Sequence, residues 1–184
     1  PDGQSIVYEP AGSRGLRVIP ADGSVTTART IPPLEHLHPV DWSEDGTELL
    51  VARLTPDRQS PSWDILRIPF SRDGDPVPVV ATEASEGGAG AALSPNKRFL
   101  AYTSDTTGSR EIWVRPYPGP GPAERISPNG GGEPVWSSDG KELVYLEGNR
   151  FMGVATSTEG RFTFSAAKLR LDVPIVRGAP PPTY

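Results

Sequence analysis

Two histidines are all the imidazole this chain has, and they stand close together, at His36 and His38 with Glu35 beside them. On a strand, residues two apart point to one face, so the pair could present two imidazoles to one metal ion. No third ligand is identifiable, and the plainer reading is of polar residues entering a strand. A Ser-His-Asp arrangement would have to use the same two histidines, and nothing beside them suggests it. The nucleophile elbow Gly-x-Ser-x-Gly is absent, as is any kinase signature.

The glycine-rich stretches Gly87–Gly90 and Gly119–Pro122 invite a phosphate-cradle reading. Such a cradle needs free backbone N–H groups and a helix behind the loop. The second stretch loses donors to proline, neither is followed by a helical pattern, and both read as loops between structural units. Asp73-Gly-Asp75 lacks the later ligands of a calcium loop and reads as a solvated turn. No cofactor and no catalytic residue is therefore expected within this segment. Trp63 and Arg58 fall in a long loop, Thr55–Trp63, and pair the two residue types that interface hot spots favour. Together with His36 and His38 they are the candidate contacts for a partner.

The elements that must carry these residues come from a repeat. Pro1-Asp2-Gly3, Trp42-Ser-Glu-Asp-Gly46, Leu93-Ser-Pro-Asn-Lys97 and Trp136-Ser-Ser-Asp-Gly140 place their anchor residues at 2, 45, 96 and 139, spacings of 43, 51 and 43. A period in the low forties built from short strands points to β-propeller blades. Pro-Asp-Gly suits a tight turn, with Gly in the left-handed position; Lys97 breaks the rule and would carry strain there. Four residues after each anchor come Ile6, Leu49, Leu100 and Leu143, and six after come Tyr8, Val51, Tyr102 and Tyr145. The residues between, Val7, Leu50, Ala101 and Val144, are apolar too, so this second strand needs cover on both faces, which stacked blades supply. Third strands read at Leu16–Ile19, Ile65–Ile68, Ile112–Arg115 and Phe151–Val154. Weaker fourth strands read at 26–31, Val77–Ala81, Ala123–Ile126 and Phe162–Leu169. Trp42, Trp136 and Trp113 fall at repeat positions suited to packing between blades.

Composition narrows the partners. A net charge of −5 over 184 residues gives no footprint for nucleic acid, and no apolar run is long enough to insert in a membrane. There is no cysteine. With 22 prolines and 20 glycines punctuating apolar runs, the chain is turn-rich rather than disordered. Because residue 1 falls inside a repeat, we read the chain as a segment of a longer protein.

The string Trp136-Ser-x-Asp-Gly-Lys-x-Leu-Val-Tyr145, with third strands of the type Arg110-Glu-Ile-Trp-Val114, resembles the TolB-like, WD-type β-propeller repeat. The resemblance covers residues 1 to about 171 and departs from the motif at Leu93 and Lys97. It implies an all-β fold of four-stranded antiparallel blades. Four repeats make a single propeller segment over 1–184, with blades near 1–35, 36–86, 87–130 and 131–184, as a partial ring or one closing with a second copy. Repeats of this kind occur in periplasmic TolB, in the gating propellers of prolyl-oligopeptidase-type peptidases and in tails of bacterial serine/threonine kinases, the last being most similar in style. The resemblance thus implies a bacterial, extracytoplasmic setting and a non-catalytic module that binds or scaffolds a protein or peptide. The alternative is an accessory gating propeller whose hydrolase domain lies outside the segment.

Overall fold

The computed structural model describes residues 2–10, 15–24, 27–31, 36–56, 62–70 and 75–173, and every regular element among them is a strand. Four antiparallel sheets follow one another along the chain. The first holds β1 (Ser5–Tyr8), β2 (Arg17–Pro20) and β3 (Arg29–Thr30). The second runs β4 (Leu37–Trp42), β5 (Glu48–Thr55), β6 (Ser62–Pro69) and β7 (Val77–Val80). The third runs β8 (Glu86–Leu93), β9 (Phe99–Ser104), β10 (Glu111–Pro116) and β11 (Glu124–Arg125). The fourth holds β12 (Gly132–Trp136), β13 (Glu142–Glu147) and β14 (Arg150–Ser157), with an outer edge in two pieces, β15 (Thr163–Phe164) and β16 (Lys168–Asp172), both paired with β14. The single strand expected over Phe162–Leu169 is broken because Ser165 Oγ accepts the Ala155 N–H and donates to the carbonyl of Ala166, replacing part of the ladder.

The turn between the first and second strands explains the repeated motif. Ser43 Oγ donates to Asp45 Oδ1 at 2.7 Å and accepts the N–H of Glu48 at 2.9 Å, while Asp45 Oδ1 accepts the N–H of Thr47 at 3.0 Å. The same three bonds recur at Ser94, Asn96, Arg98 and Phe99, and at Ser137, Asp139, Lys141 and Glu142. Gly46 and Gly140 sit at φ of 71° and 69°, and Lys97 takes the same left-handed position at 55°. The side chain, not glycine's freedom, must justify Lys97 there.

The second strands of the two middle blades each face two neighbours. Leu49 and Val51, with Leu37 of the same blade, pack toward Leu16 of the first, while Leu50 packs toward Leu100 and Tyr102 of the third. Leu143 and Tyr145 join Phe99, Ala101 and Ile112 between the third and fourth blades. Alternation along a strand therefore converts one apolar run into two interfaces. At the ends of the arc apolar side chains are left open: Ile6 on the second strand of the first blade is 48% exposed, and Val135 on the inner strand and Leu171 on the outer strand of the fourth blade are 62% and 55% exposed.

Two glycine-rich readings need correction. Gly87–Gly90 is part of the inner strand β8 rather than a loop. A Cβ on Gly87 would meet Ile65 Cγ1 at 2.9 Å, and one on Gly88 would collide with the Trp63 indole. Gly119–Pro122 connects β10 to β11 within one blade rather than between blades.

Candidate interaction surface

Strand polarity gives the arc two ends. Inner strands run toward the Ser-x-Asp-Gly turns, and Phe99 pairs with Pro116, so the loops between third and fourth strands lie at that same end. The opposite end carries the entries to the inner strands and the loops between second and third strands.

Of the residues singled out in the sequence, His36, His38 and Trp63 lie at the opposite end. His36 is a half-buried bend residue at φ 59°, and its carbonyl accepts the N–H of Leu54. His38, with a half-exposed side chain, sets Nδ1 3.2 Å from Glu9 Oε2 of the first blade. Its ring centroid is 4.7 Å from that of Trp63 at 60°. Trp63 belongs to strand β6, not to a loop, and its N–H donates to Ser85 Oγ. It is half-buried, seated against Gly88 of the next blade. The structure thus joins His38 and Trp63 and leaves His36 to the backbone turn; Arg58 lies outside the described residues. Among the described residues no group of three or more His, Cys, Asp or Glu side chains could hold a metal ion.

The turn end is built differently, with a cleft between each pair of neighbouring blades. Between the first and second, a cleft of about 390 Å³ opens beside Trp42 and Phe70, whose rings meet edge-on at 4.7 Å. Arg29 of the first blade lies over the Phe70 ring, 4.7 Å from its centroid. Between the second and third, a cleft of about 350 Å³ is bordered by Glu48, Lys97 and Tyr117. Lys97 Nζ reaches Asp41 Oδ2 of the second blade at 2.6 Å, and Arg67 holds Glu48 at 3.0 Å. Burial raises the Tyr117 hydroxyl above its ordinary pKa, with the Glu48 carboxylate adding to the effect.

Between the third and fourth blades, a cleft of about 420 Å³ lies over an apolar base. Phe162 packs 5.3 Å from Phe99 and edge-on to Trp136, whose Nε1–H donates to the carbonyl of Ala92. Asn96 Nδ2 crosses to this side, donating to the Thr158 carbonyl at 3.1 Å and its hydroxyl at 3.0 Å. Asn96, standing where the other turns carry Asp, and Lys97, standing where they carry Gly, therefore tie the third blade to both neighbours. Sequence reasoning missed this end. The signal it held was the motif break itself, together with Pro69-Phe70 and Pro116-Tyr117. The N–H groups of Phe70 and Tyr117 make equivalent bonds to the Thr47 and Arg98 carbonyls.

Around the turns, hydrogen bonds set the charge. The hydroxyl of Ser43 holds the Asp45 carboxyl below the ordinary aspartate value, and that of Ser137 does the same for Asp139. Both acids stay ionised and face solvent, and Asp45 does so at the rims of the first two clefts.

The chain matches no family model, and no curated protein matches it in sequence. Solved structures do match in shape. A putative TolB from Agrobacterium tumefaciens is similar at a TM-score of 0.68 and 20% identity, over 92% of this chain and 63% of that one. TolB from Acinetobacter baumannii is similar at 0.61 and 19%, over 93% and 42%. Prolyl oligopeptidase B from Galerina marginata is similar at 0.59 and 12%, over 91% and 26%. The chain spans less than two thirds of the length of each of these proteins.

Proposed function

We propose that this segment, with the fold of a TolB-like β-propeller, is a non-catalytic interaction module whose turn end receives a protein or peptide partner. The observation that carries the reading is the series of three inter-blade clefts at that end, each combining aromatic walls with charged rims on a rigid strand scaffold. Loops and turns carry specificity when strands hold them in place. Aromatic and arginine side chains are the groups that anchor such contacts.

The test is photo-crosslinking in cells that express the native protein. A photoreactive residue at exposed Glu44 or Glu159, both at the turn end, should capture a discrete partner; one at exposed Thr106, at the opposite end, should not. Capture only from Thr106 would reverse the assignment. The likeness to a prolyl oligopeptidase supports a second reading, an accessory propeller controlling access to a hydrolase domain. Crosslinks from the turn end into a hydrolase domain of the same polypeptide would favour it. Under both readings the purified segment hydrolyses neither peptides nor esters, and activity that persists through successive purification steps would overturn both.

A further inference from the structure

We propose that the cleft between the third and fourth blades binds an apolar peptide segment carrying a carboxylate, and this rests on the reading of the turn end as the binding end. The base is aromatic: Phe99 and Phe162 are 5% and 6% exposed and fill the interface beneath it. At about 420 Å³ the cleft is within the size range of small-ligand pockets, large enough for one bulky side chain and its flanking backbone.

The charges on its walls are uneven. Arg98 enters from the turn of the third blade and Arg161 from the loop of the fourth. Both are exposed, and neither guanidinium makes an ion pair or side-chain hydrogen bond with a described residue. Arg115 also borders the cleft, but its Nη1 donates away from it to the carbonyl of Val79 in the second blade. Among the described residues Glu124 is the one carboxylate on the wall. Elsewhere in the fold, arginines near carboxylates are paired, as Arg67 is with Glu48, Arg125 with Glu111 and Arg170 with Glu142. Two guanidinium groups with no carboxylate partner among the described residues, above an aromatic base, favour an anion with an apolar body. Carboxylate suits them because guanidinium presents donors in a planar fork. A peptide also brings backbone N–H groups, which give Glu124 something to accept.

The probes are N-acetyl-L-phenylalanine and its carboxamide, titrated against isotope-labelled protein by NMR. They share the ring and the acetamide and differ at one terminal group, an anionic acceptor-only carboxylate against a neutral carboxamide. The acid should shift the amides of Phe99 and Phe162 saturably and bind at least about fivefold more tightly than the carboxamide. In the Arg98→Gln/Arg161→Gln double variant the two probes should bind equally. Because both side chains are exposed, the rest of that variant's spectrum serves as the folding control. Equal binding of acid and carboxamide to the native protein, shifts confined to residues outside the cleft, or a preference that survives in the folded double variant would overturn the proposal. Partner capture at Glu44 with no acid preference would sink the cleft assignment alone, leaving the turn end as the binding end.

Discussion

Lys97 shows how a residue that looks wrong locally can be right globally. A non-glycine residue at φ 55° costs on the order of 1 kcal/mol. Its ammonium offsets this by reaching Asp41 at 2.6 Å, with both side chains only about a quarter exposed. In a double-mutant cycle followed by denaturant unfolding, Asp41→Ala, which also removes the acceptor of the Trp42 N–H, should cost about 0.5–1 kcal/mol more in the native background than in Lys97→Gly. Equal costs in both backgrounds would mean the pair contributes no coupling. The neighbouring position is tested by Asn96→Asp. An aspartate would keep the bonds inside the turn and lose both donations to Thr158, so stability should fall by about 1–2 kcal/mol. No loss would show that the inter-blade bonds are dispensable.

At the scale of elements, an inner strand must approach the flat face of the preceding blade closely. In β8 that approach is made over Gly87 and Gly88, where Ile65 and Trp63 occupy the space a Cβ would need. Gly88→Ala should destabilise by about 1–3 kcal/mol, since the indole is boxed in by His38 and cannot shift freely. In the Trp63→Ala background the same change should cost nearly nothing. A full cost there would place the strain in the backbone of β8 instead. Thermal unfolding of the two single variants and the double decides between these outcomes.

For the whole molecule, buried tyrosines make stability depend on alkaline pH. Burial pushes the Tyr102 hydroxyl up to about 12, against the 10.0 of an exposed tyrosine. The folded state thus keeps this proton longer than the unfolded chain does. Its contribution is intact below pH 10 and is lost as pH rises toward 12, up to about 2 kcal/mol. Tyr145 and Tyr117 are raised by burial too and act in the same direction. Melting temperature should drop steeply across that window, and Tyr102→Phe should make the drop shallower; an unchanged slope would remove Tyr102 from the account. Also at this scale, the apolar side chains Ile6, Val135 and Leu171 are left exposed on the first and fourth blades, the two ends of the arc. Pairing with a second copy, expected from the repeat, would cover them. Sedimentation velocity of this segment at micromolar concentration should then show a species larger than the monomer, and a monodisperse monomer would dismiss the pairing.

The sequence by itself determined what is settled within a few residues. Ser-x-Asp-Gly names its own turn because the hydroxyl, the carboxylate and the N–H groups they satisfy lie within five residues of one another. The second strands at Ile6–Tyr8, Leu49–Val51, Leu100–Tyr102 and Leu143–Tyr145 were legible because apolarity on both faces demands blades on both sides. Tertiary structure alone decided what crosses between blades. It made Trp63 a packed strand residue instead of a loop contact and turned Gly87–Gly90 into a strand, since both depend on a neighbour's approach. It also set the clefts at the turn end, where Lys97 meets Asp41 across 56 residues and Asn96 meets Thr158 across 62. A contact of that separation leaves no periodic trace in the chain; it shows only as a break in the motif, and the reason for the break is visible once the blades are stacked.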